Sequence, residues 1–221
     1  PLVHWKADVM TCVAKDMVKQ YKKIFKYTKQ LGVYNIVQDK DSFIKMREKL
    51  DHSWFKNSKT QLIIASGKLA KWKGFDNLIN AAKILDEKKL KFKIVIIGGG
   101  PEKNSLSKLI KFNNLENKIK ILNPVTNTLK YFFNSDIFVL SSKVEGMPNV
   151  MIEAMMCGCT VVAVNCPTGP KEIIGKNEYG YLSKLNDPQD LSKNIIKAMN
   201  KKISQKKTKK ILAKFSADKV I

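Results

Sequence analysis

The reading turns on Ser141-Ser142-Lys143-Val144-Glu145-Gly146-Met147-Pro148-Asn149-Val150-Met151-Ile152-Glu153-Ala154-Met155. Ahead of it, Ile137-Phe138-Val139-Leu140 is a continuous apolar run, the mark of a buried strand. Within and after it, Val150, Ala154 and Met155 recur at helical spacing, and Gly158 stands where a helix stops. The segment predicts strand, loop, helix, with Asn149 as the helix cap and Pro148 near the first turn. Glu145 then falls in the loop and Glu153 about one turn into the helix. In an open parallel sheet, ligands bind beyond the carboxyl ends of the strands. A helix N-terminus there offers free N–H groups and a positive dipole end to a phosphate. A carboxylate one turn further suits sugar hydroxyls better, as an acidic residue serves ribose in dinucleotide folds. A buried helix entry with a capping glutamate is the plainer reading of the same spacing.

The strand–helix rhythm extends in both directions, from Thr60 to Ile221. Leu62-Ile63-Ile64-Ala65 is a first apolar strand, and Phe75, Leu78, Ile79, Ala82 and Leu85 form the apolar stripe of a helix. Between them, Gly67 lets a backbone approach a ligand closely, and Lys68 and Lys73 bring two ammonium groups near one turn. Two solvated surface lysines are the competing reading in so lysine-rich a chain. Strands are expected at Phe92–Ile97, Lys118–Leu122, Thr160–Val164 and Gly180–Leu182. Gly98-Gly99-Gly100-Pro101 follows the first of these, with Pro101 placed to open a helix, and Asn123-Pro124-Val125 follows the second. The Gly run is not G-x-G-x-x-G. Asp187-Pro188 reads as an N-cap and first position of a helix carrying Leu191, Ile195 and Met199. Upstream, a short strand within Ala7–Ala14, a helix over Lys15–Lys26, a turn at Gly32-Val33-Tyr34-Asn35 and a helix over Lys40–Leu50 are expected.

These residues resemble glycosyltransferase family 4, a GT-B family. Glu145 to Glu153 resembles its E-x7-E motif. Gly67-Lys68-Leu69 with Lys73-Gly74 resembles its Gly-Arg-Leu…Lys-Gly motif, with Lys68 in place of Arg, which keeps the charge and loses the planar fork. Asp51-His52-Ser53-Trp54-Phe55 resembles a domain entry with Ser53 in place of Pro. Cys166-Pro167-Thr168-Gly169-Pro170-Lys171-Glu172-Ile173 is similar to members that add hexoses or N-acetylhexosamines, N-acetylgalactosamine among them, to lipid-linked glycans.

The resemblance implies an α/β fold: a doubly wound, Rossmann-like parallel sheet over residues 58–221, the donor-binding C-terminal half of a GT-B enzyme. Residues 1–57 are then a remnant of the first domain and the linker. It implies retaining transfer from a nucleoside diphosphate sugar, UDP by family frequency, to a glycan or lipid-linked acceptor held by a missing N-terminal domain, with weak or no transfer by this chain alone. Lys68 and Lys73 would hold the pyrophosphate. Gly67, Gly98, Pro124 and Val125 would lie near the nucleotide. Glu145, Gly146, Met147, Asn149 and Val150 would hold the sugar and diphosphate, and Glu153 the ribose. Glu145, Lys68 and Lys73 are the catalytic candidates, and no metal or other cofactor is implied. The phosphates' growing charge would be met by ammonium and amide groups in place of a divalent ion.

Composition bounds the alternatives. Apolar residues make up 44% and charged residues 27%, as in a globular protein. No apolar run reaches the roughly 18 residues of a spanning helix, and the start, at Pro1, is read as that of a fragment. The net charge of +22 is nearly all lysine, with Arg47 the one arginine. Nucleic-acid readers lean on arginine, so no nucleic-acid partner is expected. Attraction to anionic lipid headgroups is the sharper reading of the charge, solvated helix faces the blander. Cys12, Cys157, Cys159 and Cys166 lack metal-site spacing and fit small buried side chains in a reducing cytoplasm. A non-catalytic sugar-nucleotide module, a basic nucleic-acid-binding protein and a nucleotide-sugar epimerase are the remaining alternatives.

Overall fold

The computed structural model describes residues 7–26, 28–37, 40–56 and 60–216. Two parallel sheets form. The smaller one pairs β1 (Val9–Cys12) with β2 (Lys29–Gly32), joined by helix α1 (Lys15–Ile24). The turn expected at Gly32–Asn35 does not form: Gly32 ends an unexpected strand, and the Val33 amide continues its pairing by donating to the Cys12 carbonyl at 2.9 Å. Lys29-Gln30-Leu31-Gly32 has no apolar alternation, and its pairing with β1 is what makes it one. Helix α2 (Lys40–Lys45) is shorter than the expected Lys40–Leu50. Arg47 and Glu48 donate to the carbonyls of Ile44 and Lys45 in tighter three-residue turns. The division expected between residues 57 and 58 lies outside the described residues.

The larger sheet is built from β3 (Gln61–Ser66), β4 (Phe92–Ile97), β5 (Ile119–Leu122), β6 (Ile137–Leu140), β7 (Thr160–Val164) and β8 (Tyr181–Ser183). Their spatial order is β5-β4-β3-β6-β7-β8, and every pairing is parallel. Because both faces are covered, the central strands read as apolar runs, Leu62–Ala65 in β3, Ile137–Leu140 in β6 and Val161–Val164 in β7, while β4 and β5 nearer one edge each carry a lysine. Residues on one face, such as Ile63, Ala65, Ile94 and Ile96, pack under α3 (Phe75–Glu87), α4 (Lys103–Phe112) and α8 (Pro188–Asn200). Those on the other, such as Leu62, Ile64, Val95 and Ile97, pack under α5 (Leu129–Phe133), α6 (Asn149–Met156), α7 (Pro170–Ile174) and α9 (Gln205–Leu212). This is the doubly wound α/β fold that the sequence resemblance implies. Asp187 caps α8 as expected, its carboxylate accepting from the Asp190 amide at 2.9 Å. Pro101 does not open α4: it lies in the preceding turn, and Glu102 is the N-cap.

The chain winds outward from β3 to β5, returns to set β6 beside β3, then winds the other way. Loops leaving the carboxyl ends of β3 and β6 therefore part in opposite directions, which opens a crevice between them. The pairing shows it directly. β3 meets β4 over six residues, Gln61 to Ser66, but β6 over only Ile63 and Ile64. Beyond Ile64 the two central strands diverge.

Candidate active site

Two glycines set how closely the loops around the crevice approach. Gly74, at φ 63°, ends the single 3-10 turn Lys71–Lys73, and a Cβ there would lie 2.1 Å from the Ser141 carbonyl oxygen. A Cβ on Gly98 would lie 2.0 Å from the Gly67 carbonyl oxygen. Only hydrogen fits at either place. The loop after β3 is further stitched to the loop after β6: Ser141 Oγ donates to the Lys73 carbonyl at 2.9 Å, and the Lys143 amide to the Trp72 carbonyl at 2.7 Å.

That stitching brings Lys73 and Glu145 together across 72 residues of sequence. Lys73 Nζ donates to Glu145 Oε1 at 2.6 Å, and Ser142 Oγ donates to the same oxygen at 2.6 Å. The side chains are 21% and 11% exposed, so the pair is shielded yet reachable. Gly67 lies alongside, with the Cδ and Cε of Lys73 3.7 Å from where a Cβ would stand. Lys68 points elsewhere: it is exposed, with its Nζ 5.7 Å from the centroid of the exposed Trp72 ring. Gly67, Lys68, Gly98, Pro124 and Val125 line one open depression of about 250 Å³ at the carboxyl ends of β3 and β4, together with Gly99 and Thr128. Ser142, Gly99 and Thr128 were not legible as site residues, since single small or hydroxyl residues in loops carry no spacing signal.

The backbone of Glu145 is clamped by the loop after β7. Its amide donates to the Pro167 carbonyl, and its carbonyl accepts from the Thr168 amide, both at 2.8 Å. Thr168 Oγ1 donates to the Gly146 carbonyl at 2.8 Å. The Cys-Pro-Thr-Gly loop is thus the splint for the loop carrying Glu145.

At the helix entry the structure corrects the expected cap. Pro148 takes the N-cap position and Asn149 is the first helical residue, with no side-chain cap. A proline there offers no side-chain acceptor, and Asn149 is engaged otherwise. Its Oδ1 accepts from Asn35 Nδ2 at 3.0 Å, and its amide donates to the Met147 carbonyl at 2.9 Å. The Met147 side chain is buried in the core. Among the described residues, the amides of Gly146, Met147 and Val150 have no acceptor and remain available to an anion.

Glu153 sits one turn into α6, half-buried. Among the described residues its carboxylate has no hydrogen bond and no ion pair, and burial raises its pKa above the ordinary value. One turn on, the Cys157 thiol is pushed up to about 12 by burial and by Glu153, and Cys166, near Glu145, to about 11 by burial foremost. All four cysteines are free, buried thiols, and among the described residues no three His, Cys, Asp or Glu side chains gather to hold a metal ion.

The family described as Glycosyl transferases group 1 matches residues 46–215. This chain belongs to that family. Among curated proteins, the chain is 34% identical over 134 residues to an uncharacterized glycosyltransferase of Haemophilus influenzae, covering 60% of this chain and 38% of that protein. It is 35% identical over 133 residues to the N-acetylgalactosamine-N,N'-diacetylbacillosaminyl-diphospho-undecaprenol 4-alpha-N-acetylgalactosaminyltransferase of Campylobacter jejuni, covering 60% and 36%. Among solved structures, a glycosyltransferase from Rickettsia africae superposes with a TM-score of 0.83 at 21% identity, covering 98% of this chain and 61% of that one. S. aureus TarM, solved with UDP, fondaparinux and alpha-GlcNAc-glycerol, gives 0.81 at 22%, covering 97% and 42%. These likenesses establish the fold as that of GT-B glycosyltransferases. The group 1 chain spans about two fifths of the length of the curated relatives it matches.

Proposed function

We propose that this chain is the donor-binding half of a family 4 retaining glycosyltransferase. In this reading it holds a nucleoside diphosphate sugar, UDP-linked, and the whole protein transfers a hexose or N-acetylhexosamine to a glycan or lipid-linked acceptor. Residues 1–57 belong to the end of an acceptor-side domain and the linker, and transfer needs that domain complete. The observation that carries this is the Lys73–Glu145 pair at the crevice between β3 and β6, with unpaired Glu153 in the following helix.

The roles follow from charge. The depression beside Gly98 and Pro124 takes the base, and Glu153, needing a donor, accepts from the ribose hydroxyls. The diphosphate lies over the free amides of Gly146, Met147 and Val150, with Lys73 and Lys68 as counter-ions. As the sugar's anomeric bond breaks, negative charge grows on the leaving phosphate, and these fixed positive groups stabilise it without a divalent ion. Glu145 is released from Lys73 to the hydroxyls of the donor hexose. The names of the Campylobacter relative and of TarM support an N-acetylhexosamine and UDP respectively.

The test is calorimetric titration of this chain with UDP and GDP. UDP binding that is lost in both Lys73→Ala and Glu153→Ala, with folding intact, supports the site; undiminished binding in Lys73→Ala removes the phosphate assignment. A lipid-linked acceptor would also place the protein at the cytoplasmic membrane face. Supporting this are seven lysines from Lys201 to Lys214, of which Lys202 pairs with Asp136, with no acidic residue between 191 and 216, around an α9 that turns Thr208, Ile211 and Leu212 inward. Failure to co-sediment with anionic liposomes at low salt would end that part of the proposal.

A further inference from the structure

Helix α1 starts badly. Its N-cap residue is Ala14, which has no side-chain acceptor, so the first amides of the helix lack a local partner. The acceptor arrives from 157 residues away. Glu172 Oε2, on α7, accepts from the Lys15 amide at 3.0 Å and more weakly from the Asp16 amide at 3.5 Å. Its other oxygen, Oε1, accepts from the Tyr34 hydroxyl, just past β2. One carboxylate therefore grips the unit at two places, the start of α1 after β1 and the chain just after β2. The carboxylate is the right group for the task, because it carries negative charge at the positive end of a helix and can accept several bonds at once.

Packing fixes α1 only in part: Met17 lies against the core, and Lys15 and Val18 lie over Gly32 of β2. None of its residues is buried, and its sheet has only two strands. Yet it stands over the donor loop. A Cβ added to Gly146 would meet Val13 Cγ2 at 3.5 Å and Met17 Cε at 3.6 Å, so the unit is in van der Waals contact with the residue following Glu145. On its other side, Gly146 is held by Thr168 Oγ1, and a Cβ on Gly169 would lie 2.6 Å from the Gly146 carbonyl oxygen. The loop bearing Glu145 is thus sandwiched between α1 and the start of the segment that carries Glu172.

We infer that Glu172 is a positioning residue, whose carboxylate docks helix α1 onto Gly146 and so holds Glu145 in register with Lys73 for the donor. The inference rests on the donor reading above, but its structural half can fail separately. It also gives Glu172, which closes the Cys-Pro-Thr-Gly-Pro-x-Glu pattern, a duty that the splinting of Glu145 by Pro167 and Thr168 does not explain. Tyr34 and Asn35 make the same connection report on the site. One bonds Glu172 and the other bonds Asn149 at the start of α6.

The experiment is hydrogen–deuterium exchange on this chain, on Glu172→Ala and on Glu172→Gln, each paired with titration by UDP. Glu172→Ala should raise exchange of both the α1 amides and the protected amides of residues 145–150, those of Glu145 and Asn149, by about tenfold, with strands β4 and β5 unchanged, as expected for loss of charge-assisted bonds at one locus. UDP affinity should fall about tenfold in parallel. Glu172→Gln, which keeps one acceptor oxygen and loses the charge, should fall between parent and Ala variant and guards against a simple folding failure. The inference is overturned if α1 loosens while exchange at 145–150 stays as in the parent, or if neither segment changes. A parent that does not bind UDP sinks the donor reading instead, and the exchange at 145–150 still decides whether Glu172 holds the loop.

Discussion

The loop before α6 and the first turns of α6 each carry one glutamate, and the fold treats them oppositely. Glu145 is answered within the chain, by the Lys73 ammonium and the Ser142 hydroxyl at 2.6 Å each. Glu153 is half-buried and answered by nothing among the described residues, so only solvent offsets its partial desolvation. A carboxylate that only water answers can take a donor from outside without breaking an internal bond. The contrast separates a group held in reserve by an internal counter-ion from one kept open for hydroxyls that arrive from outside.

The harshest way to break this contrast is to destroy the frame around Glu145. Gly74→Ala forces a Cβ to within 2.1 Å of the Ser141 carbonyl oxygen at a left-handed φ. We expect a loss of at least about 3 kcal/mol in chemical denaturation, from strain plus backbone displacement. A loss below 1 kcal/mol would mean that the two loops can part freely. Next in size is Lys73→Ala, which strips the counter-ion from a carboxylate only 11% exposed. A cost of about 2 kcal/mol is expected, below that of a fully buried pair because Lys73 retains some solvent. Glu145→Gln combined with Lys73→Ala should recover part of that loss, and a strictly additive double variant would show the pair to be uncoupled.

The smallest effect sharpens the other side of the contrast. Burial raises the Glu153 pKa, so the folded chain holds this proton more tightly than the unfolded one. The group's penalty is therefore absent below the unfolded carboxylate range, near pH 4, and grows as pH rises through it until the folded carboxyl ionises. Glu153→Gln should melt with the parent in acid and at or above it at neutral pH. Parallel melting curves across that range would remove the claim that Glu153 is strained by burial. The same variant should bind UDP more weakly, so that a stability gain accompanies a functional loss.

Much of this was legible in one dimension. β6 begins and ends where its apolar run does, because a strand buried on both faces needs no polar residue until it leaves the sheet, and β4 and β7 keep the expected bounds with one polar residue each, Lys93 and Thr160. Lys68, Lys73, Glu145 and Glu153 could be picked out by type and spacing, and the structure joins Lys73 to Glu145 directly while giving Lys68 to the Trp72 ring. What stayed hidden depended on contacts far apart in sequence. β2 is a strand only because β1 lies beside it. Asn149 is not the cap because Asn35 takes its side chain. Ser142 and Glu172 owe their importance to partners, and no local pattern announces a partner.

The early parting of β3 and β6 has one more consequence. The notch it leaves is made by main chain diverging above Ile64 and is spanned by the Lys73–Glu145 ion pair, so a guest that draws Glu145 away must part that pair. Entry is then coupled to the breaking of one ion pair and not to the bulk of the residues below. Selectivity between one guest and another is left to a handful of exposed rim positions that can be exchanged without touching the ladder beneath. Such a seam is a natural place to redesign what the protein holds.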